Sequence, residues 1–271
     1  MATTHTTTGI TIEDLQRSWT ISLRAGNKSP RTIENYTETL GQFTRFLRAN
    51  GLPTGVAAIT REHVETFLAK VLGTNKPSTA QTRYTGLRVF FRWAMDDGEI
   101  SETPMRNMRP IPIPEDPVPI LTNDQQNRLL KTCSGTTFAD RRDRAILHVL
   151  IDTGLRRGEV AGIRVHDIDW EQQIIRVLGK GGRERHLPFG RVVTQTLDRY
   201  ARIRGTHARA HDDGFWLGQA GALTGQGIRQ MIERRAAQAG IEGVHAHQFR
   251  HTFAHEWLSG GGSETDLMRL V

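Results

Sequence analysis

The chain has 271 residues, a formal net charge of +7, 37% hydrophobic and 24% charged residues. That is enough for two domains of ~100–200 residues with real cores, and too apolar for wholesale disorder. No apolar run reaches the ~20 residues of a membrane span, the opening MATTHTTTG has no secretory-leader pattern, and the single cysteine, Cys133, excludes an internal disulfide framework or a multi-cysteine zinc site.

Residues 1–10 are threonine-rich and aperiodic, and read as a disordered tail. Residues 11–103 read as a helical domain. A first helix runs from Thr11 to Arg24. Ser29 caps a second, with Pro30 in its first turn. There Ile33, Tyr36, Leu40, Phe43 and Leu47 step by three and four along one face. Gly51 and Pro53 end it. Thr60 caps a third helix, with Val64, Phe67, Leu68 and Val71 inward. A fourth, from about Ser78 to Met95, is buried along Tyr84, Leu87, Phe91 and Ala94. Its other side carries Arg83, Arg88 and Arg92, candidates for nucleic-acid contact.

Residues 104–120 read as an extended interdomain linker: six of the ten prolines fall in 104–119, a density that no helix or sheet centre tolerates. Residues 121–271 begin with a capping box, Thr122 and Gln125. Helical spacing covers 123–132 and 140–153, and Gly154-Leu155-Arg156-Arg157-Gly158-Glu159 turns into a short helix. Over 163–189 the period shortens. Ile163, Val165, Ile168, Ile174, Ile175, Val177 and Leu178 fall in strand-like runs, divided by a hairpin turn at Gly179-Lys180-Gly181-Gly182. Helical spacing returns at 190–204, 224–239 and 246–259, and 263–271 opens another helix without a stop signal.

The basic surplus is 31 arginines against 5 lysines, and arginine is the bidentate phosphate reader. Basic residues outnumber acidic ones before Pro117 (14 to 12) and from it onward (22 to 17). This composition points to nucleic acid, and is equally compatible with a G+C-rich genome. Three motifs carry chemistry. The glycine-rich turn is either a phosphate nest or a plain hairpin, and it lacks the spacing of a Walker A loop. Arg156 at a helix entrance either meets a phosphate or simply pairs with Glu159. His247, His251 and His255 share a helix face at i, i+4, i+8, which suits zinc. No glutamate follows His247 or His251 as in metalloproteases, and no matching ligand is evident elsewhere, so phosphate chemistry with His247 and Arg250 one turn apart is favoured.

Taken together, TGLRRGE, GKGGRERHLPF and HAHQFRHTFAH resemble, in that order and over nearly the whole chain, the tyrosine recombinase (phage integrase) family. The resemblance implies a mainly α chain with a small β-sheet (α+β): a four-helix core-binding domain at 11–103 and a catalytic domain at 121–271, closed as a C-shaped clamp on duplex DNA. It implies that Arg156 and Arg250 hold the phosphate's non-bridging oxygens. Lys180 would protonate the departing 5′ oxygen, and His247 would move a proton on the nucleophile's side. Glu159 and His251 support these groups from behind, and Arg183 joins Arg83, Arg88 and Arg92 in touching DNA. No metal and no cofactor is implied. The partners implied are double-stranded DNA and further copies of the chain, as a tetramer, in the cytoplasm of a bacterium or encoded by a phage; no membrane is involved.

The family's nucleophilic tyrosine follows a Gly-His or Gly-Trp step beyond His-x-x-Arg. No tyrosine follows Arg250 in these residues, so the catalytic domain reads as C-terminally incomplete. Tyr36 and Tyr84 fall on inward stripes of the first domain, and Tyr200 is expected on an outer helix of the second. Two functions therefore stand: site-specific recombination for integration or excision of a mobile element, and a catalytically inactive DNA-binding remnant or competitor. A third, a metal-dependent hydrolase built on the histidines, would require stoichiometric zinc.

Overall fold

The computed structural model describes residues 9–114, 119–179 and 184–270. The expected tail lies outside these except for Gly9 and Ile10, as do Lys180 and Arg183. The chain divides into two compact units, Met1–Asp116 and Pro117–Val271.

The first unit holds α1 (Ile12–Ala25), α2 (Pro30–Ala49), α3 (Arg61–Thr74) and α4 (Pro77–Asp96). Local chemistry starts them. Thr11, Ser29 and Thr60 each accept a backbone N–H from the residue three positions on. α2 packs on α1 and α4, and α4 also on α3. Trp19, Phe43, Phe90 and Phe91 meet between them, mostly edge to face. The proline-rich stretch begins as part of this unit: Met105 is buried, Tyr84 donates its hydroxyl to the Met108 carbonyl at 2.8 Å, and the Ile111 N–H reaches Gln81 Oε1 at 2.8 Å.

The expected common outer face of Arg83, Arg88 and Arg92 is not found. At 100° per residue Arg83 lies about 140° around α4 from Arg88. Its guanidinium turns onto α2, donating to Thr39 Oγ1 at 3.0 Å beside Glu38. Arg88 is exposed, and Arg92 is exposed and paired with Asp96 at 3.2 Å.

The second unit holds α5 (Asn123–Lys131), α6 (Phe138–Thr153), α7 (Arg157–Gly162), β1 (Ile168–Asp169), β2 (Ile174–Leu178), β3 (Glu184–Pro188), α8 (Arg191–Arg204), β4 (Leu217–Gly218), β5 (Gly221–Ala222), α9 (Gly225–Gln238), α10 (Ala246–Ser259) and α11 (Glu264–Leu270). α6 is the central helix. Ala145, Ile146, Leu147, Val149 and Leu150 bury it on several sides, against α8 and α10. Antiparallel strands in the order β1-β2-β3 form the main sheet, with Ile175 opposite Ile168 and Leu187, and Val177 opposite Arg185. β4 and β5 form a separate hairpin that the sequence reading missed.

Three expectations change here. Residues 163–167 are not strand: Ile163 ends α7 and Val165–Asp167 is a 3₁₀ turn, because the Asp167 carboxylate accepts the Arg164 N–H at 2.8 Å. α6 starts earlier than 140, because Thr137 caps it through the Asp140 N–H. Tyr200, expected on an outer helix, faces the core. Its hydroxyl donates to Phe215 O at 3.0 Å and accepts the Leu217 N–H at 2.9 Å, and burial pushes it up to about 12.

Several arginines are architectural. Asp143, fully buried, receives Arg142 on one oxygen and Arg234 and Arg235 on the other, at 2.7–2.9 Å. Arg204 is buried and spreads its guanidinium over the carbonyls of Ala210, Asp212, Gly214 and Phe215, fixing the loop before β4.

Candidate active site

The site is built where α6 ends and α7 begins. Gly154 terminates α6 with φ +61°, the left-handed cap that glycine adopts without strain. It also lies against α10: a Cβ there would stand 2.7 Å from the Phe253 ring. Its carbonyl accepts the Arg250 Nη1–H at 3.3 Å. One glycine therefore ends a helix, admits its neighbour and anchors an arginine. Fully buried Leu155 pins the turn, and Arg156 follows with its side chain about half exposed.

Glu159, one turn into α7, is nearly buried and takes three hydrogen bonds. Arg156 donates its side chain to Oε1 at 3.1 Å and its backbone N–H to Oε2 at 2.8 Å; Arg185 Nη2 donates to Oε2 at 2.9 Å. Arg185 comes from β3, where strand alternation puts it on the same face as buried Leu187. That alternation was the available signal for a residue the motif reading passed over: an inward arginine on a short strand needs a buried acceptor.

α10 brings the rest. The His245 N–H donates to Gln248 Oε1 at 2.9 Å, opening the helix. Buried Phe249 and Thr252 hold it down, Thr252 Oγ1 accepting the Leu121 N–H at 2.8 Å. His247 and Arg250 then face a cleft of about 540 Å³ shared with Arg156, Arg157, Gly158, Glu159, Leu178, Gly179 and Ala246. Gly179 immediately precedes Lys180, so the β2–β3 connection leaves β2 from the rim of the cleft, although Lys180 itself and Arg183 lie outside the described residues. His251 stands beside His247, ring centroids 6.5 Å apart, and is exposed.

Charge accumulates here. Burial first, then His251, His245, Arg250 and Arg156, hold His247 below the usual histidine range. Burial and Arg156 likewise lower Arg250, with Arg185 adding to the effect and Glu159 opposing it. His247 is therefore a neutral imidazole near pH 7, able to accept a proton, inside a wall of guanidinium groups suited to an oxyanion. Among the described residues no group of three or more His, Cys, Asp or Glu side chains is arranged to hold a metal ion. None of the three tyrosines lines the cleft: Tyr36 stacks on Trp19, and Tyr84 and Tyr200 are buried.

The sequence profile of the phage integrase family matches residues 119–271, and that of the SAM-like N-terminal domain of phage integrases matches 15–99. The chain belongs to the phage integrase family. Among its relatives, the tyrosine recombinase XerC of Oceanobacillus iheyensis is 31% identical over 253 residues, covering 90% of this chain and 82% of the relative. The tyrosine recombinase XerD of Listeria innocua is 28% identical over 249 residues, covering 90% and 84%. In structure the chain is similar to a lambda integrase from a tetramer bound to a Holliday junction, with TM-score 0.79 and 17% identity over 99% of this chain and 79% of that one. It is also similar to the Tn1549 transposon integrase in complex with transposon right end DNA, with TM-score 0.78 and 19% identity over 96% and 90%. At these identities the likeness shows the fold: the mainly α, small-sheet fold of tyrosine recombinases. Among the described residues no helix is long and apolar enough to cross a membrane.

Proposed function

We propose that this chain binds duplex DNA through both units and holds one backbone phosphate in the cleft, as part of site-specific recombination. The observation that carries this is the convergence of Arg156, Arg250 and His247 on one cleft, with Glu159 shared between Arg156 and Arg185. A phosphodiester under attack gains negative charge on its non-bridging oxygens. Two fixed arginines stabilise that charge, and losing one such contact costs about 10²–10³ in rate. In the reaction, a tyrosine oxygen bonds to phosphorus and the bond to the 5′ oxygen breaks. The tyrosine proton passes to neutral His247, and Lys180 gives a proton to the departing oxygen. The resulting 3′-phosphotyrosine keeps the energy for rejoining, and copies of the chain assemble on the DNA to exchange strands.

The second reading is a DNA-binding remnant or competitor without cleavage; within residues 1–271 Tyr84 and Tyr200 are buried and no tyrosine lines the cleft. A nicked trapping duplex and a denaturing gel separate the two. Residues 1–271 should form no covalent adduct, whereas a chain extended through a family-like tyrosine segment should form one, and Arg156→Ala or Arg250→Ala should slow that step at least ~10²-fold. A protease-sensitive band from residues 1–271 alone would overturn this account of the tyrosines; near-normal cleavage by either alanine variant would remove that residue from the site. For binding, log affinity should fall linearly with log salt, by ~0.9 per phosphate contact. A flat response would refute it.

A further inference from the structure

We infer that Arg185 is a positioning residue of the cleft: it keeps the Glu159 carboxylate occupied, so that Arg156 and Arg250 remain available to a bound oxyanion. This rests on reading the cleft as a phosphate site.

Three guanidinium groups, Arg156, Arg185 and Arg250, surround one carboxylate. Glu159 takes a side-chain bond from Arg156 on Oε1, and a backbone bond and the Arg185 side chain on Oε2. Arg250 bonds the Gly154 carbonyl instead. The division follows from where each arginine is rooted. Arg185 reaches Oε2 from the inward face of β3 and is four-fifths buried, Arg156 approaches from the entrance of α7, and Arg250 from α10.

Without Arg185, Oε2 would lose its one side-chain donor in a nearly buried setting, and a carboxylate left short of donors is costly. It can recover by turning fully onto the Arg156 fork, the geometry that carboxylates favour. That would neutralise a cation that the phosphate needs. Arg185 thus acts on the phosphate through Glu159. Losing one effective unit charge a few ångströms from the anion, at a partly exposed site, should weaken binding about tenfold.

The test uses the 271-residue chain with inorganic phosphate as probe, titrated at constant ionic strength. Binding is read from the arginine Nε–Hε resonances in nitrogen-15 NMR, and folding is checked by circular dichroism. Phosphate should saturate the parent, and Arg156→Ala and Arg250→Ala should abolish the response. Arg185→Met should bind about tenfold more weakly and Arg185→Lys within about threefold of the parent. Adding Glu159→Gln to Arg185→Met should restore affinity to within about threefold of Glu159→Gln alone, a recovery that a direct phosphate contact or a purely structural role would not give. Should Arg185→Met not fold, Arg185→Leu, which likewise leaves Oε2 without a side-chain donor, carries the same comparison. Parent-like binding by the neutral Arg185 variant, or no recovery in the double variant, overturns the inference while leaving the cleft intact. Parent-like binding by Arg156→Ala and Arg250→Ala overturns the reading of the cleft itself, and this inference with it.

Discussion

Replacing Gly154 with alanine tests how the site is assembled, because two separate costs meet at one atom. At φ +61° an alanine pays ~1–2 kcal/mol for the left-handed conformation. Its Cβ would also stand 2.7 Å from Phe253 Cδ1 and 3.0 Å from Cγ, so the ring and α10 must shift, an overpacking cost of ~1–3 kcal/mol. The sum is ~2–5 kcal/mol. For a unit of this size each kcal/mol moves the midpoint by ~2–4 °C, so the midpoint of thermal unfolding followed by circular dichroism should drop by roughly 4–20 °C. Phosphate affinity should fall as well, because the carbonyl that anchors Arg250 moves with the turn. Gly158→Ala is the control: its φ is not positive, nothing lies within 4 Å of a Cβ there, and stability should change by less than ~0.5 kcal/mol. In a Phe253→Leu background the packing cost should shrink, leaving mainly the backbone cost. A Gly154→Ala chain that melts within about 1 °C of the parent and binds phosphate equally would refute the claim that this turn is fixed by both constraints.

Other outcomes follow from the same structure. His148 is largely buried on α6, its Nε2 has no partner among the described residues, and burial with Arg144 nearby lowers it to about 4, Asp152 opposing. Because its folded value lies below the unfolded one near 6.5, its neutral form is favoured by folding: that stability is whole above pH 6.5 and is lost as pH falls toward 4. The loss should be ~1–2 kcal/mol after solvent screening of the exposed edge, and His148→Gln should flatten that part of a urea-midpoint profile; an unchanged slope would count against it. Tyr200→Phe removes the acceptor of the Leu217 N–H, while Phe215 O keeps Arg204 Nε. It should cost ~1–2 kcal/mol in urea unfolding and leave DNA affinity unchanged, and a fall in affinity would contradict the core role. In the first unit, Arg83→Ala should lower the melting temperature by removing the bonds its guanidinium makes from α4 to Thr39 and Glu38 on α2. Arg88→Ala should leave melting unchanged and reduce the salt slope of duplex binding by ~0.9; reversed effects would refute the division of α4.

The sequence by itself determined the helices and their inward faces. Caps at Ser29, Thr60 and Thr122 and the three–four spacing of Leu40, Phe43 and Leu47 are local features, and neighbours in the chain are enough to decide them. The three motifs were equally legible, because each holds its chemistry within a few residues. What an arginine does was not legible. Arg204 and Arg235 serve buried carbonyls and carboxylates, Arg83 lies on a neighbouring helix, and Arg156 and Arg250 face an open cleft, yet composition counts all of them alike. Only the tertiary structure separates them, because a guanidinium's role depends on which acceptor lies within about 3 Å. For Arg235 and Arg250 those acceptors, Asp143 and the Gly154 carbonyl, are ninety or more residues away. Tyr200 shows the same limit. Its place on a helix could be read from spacing, but its burial depended on Phe215 and Trp216 folding back over it from a segment without helical or strand periodicity. The sharing of Glu159 between α7 and β3 likewise required both elements in place, because nothing local to either of them names the other.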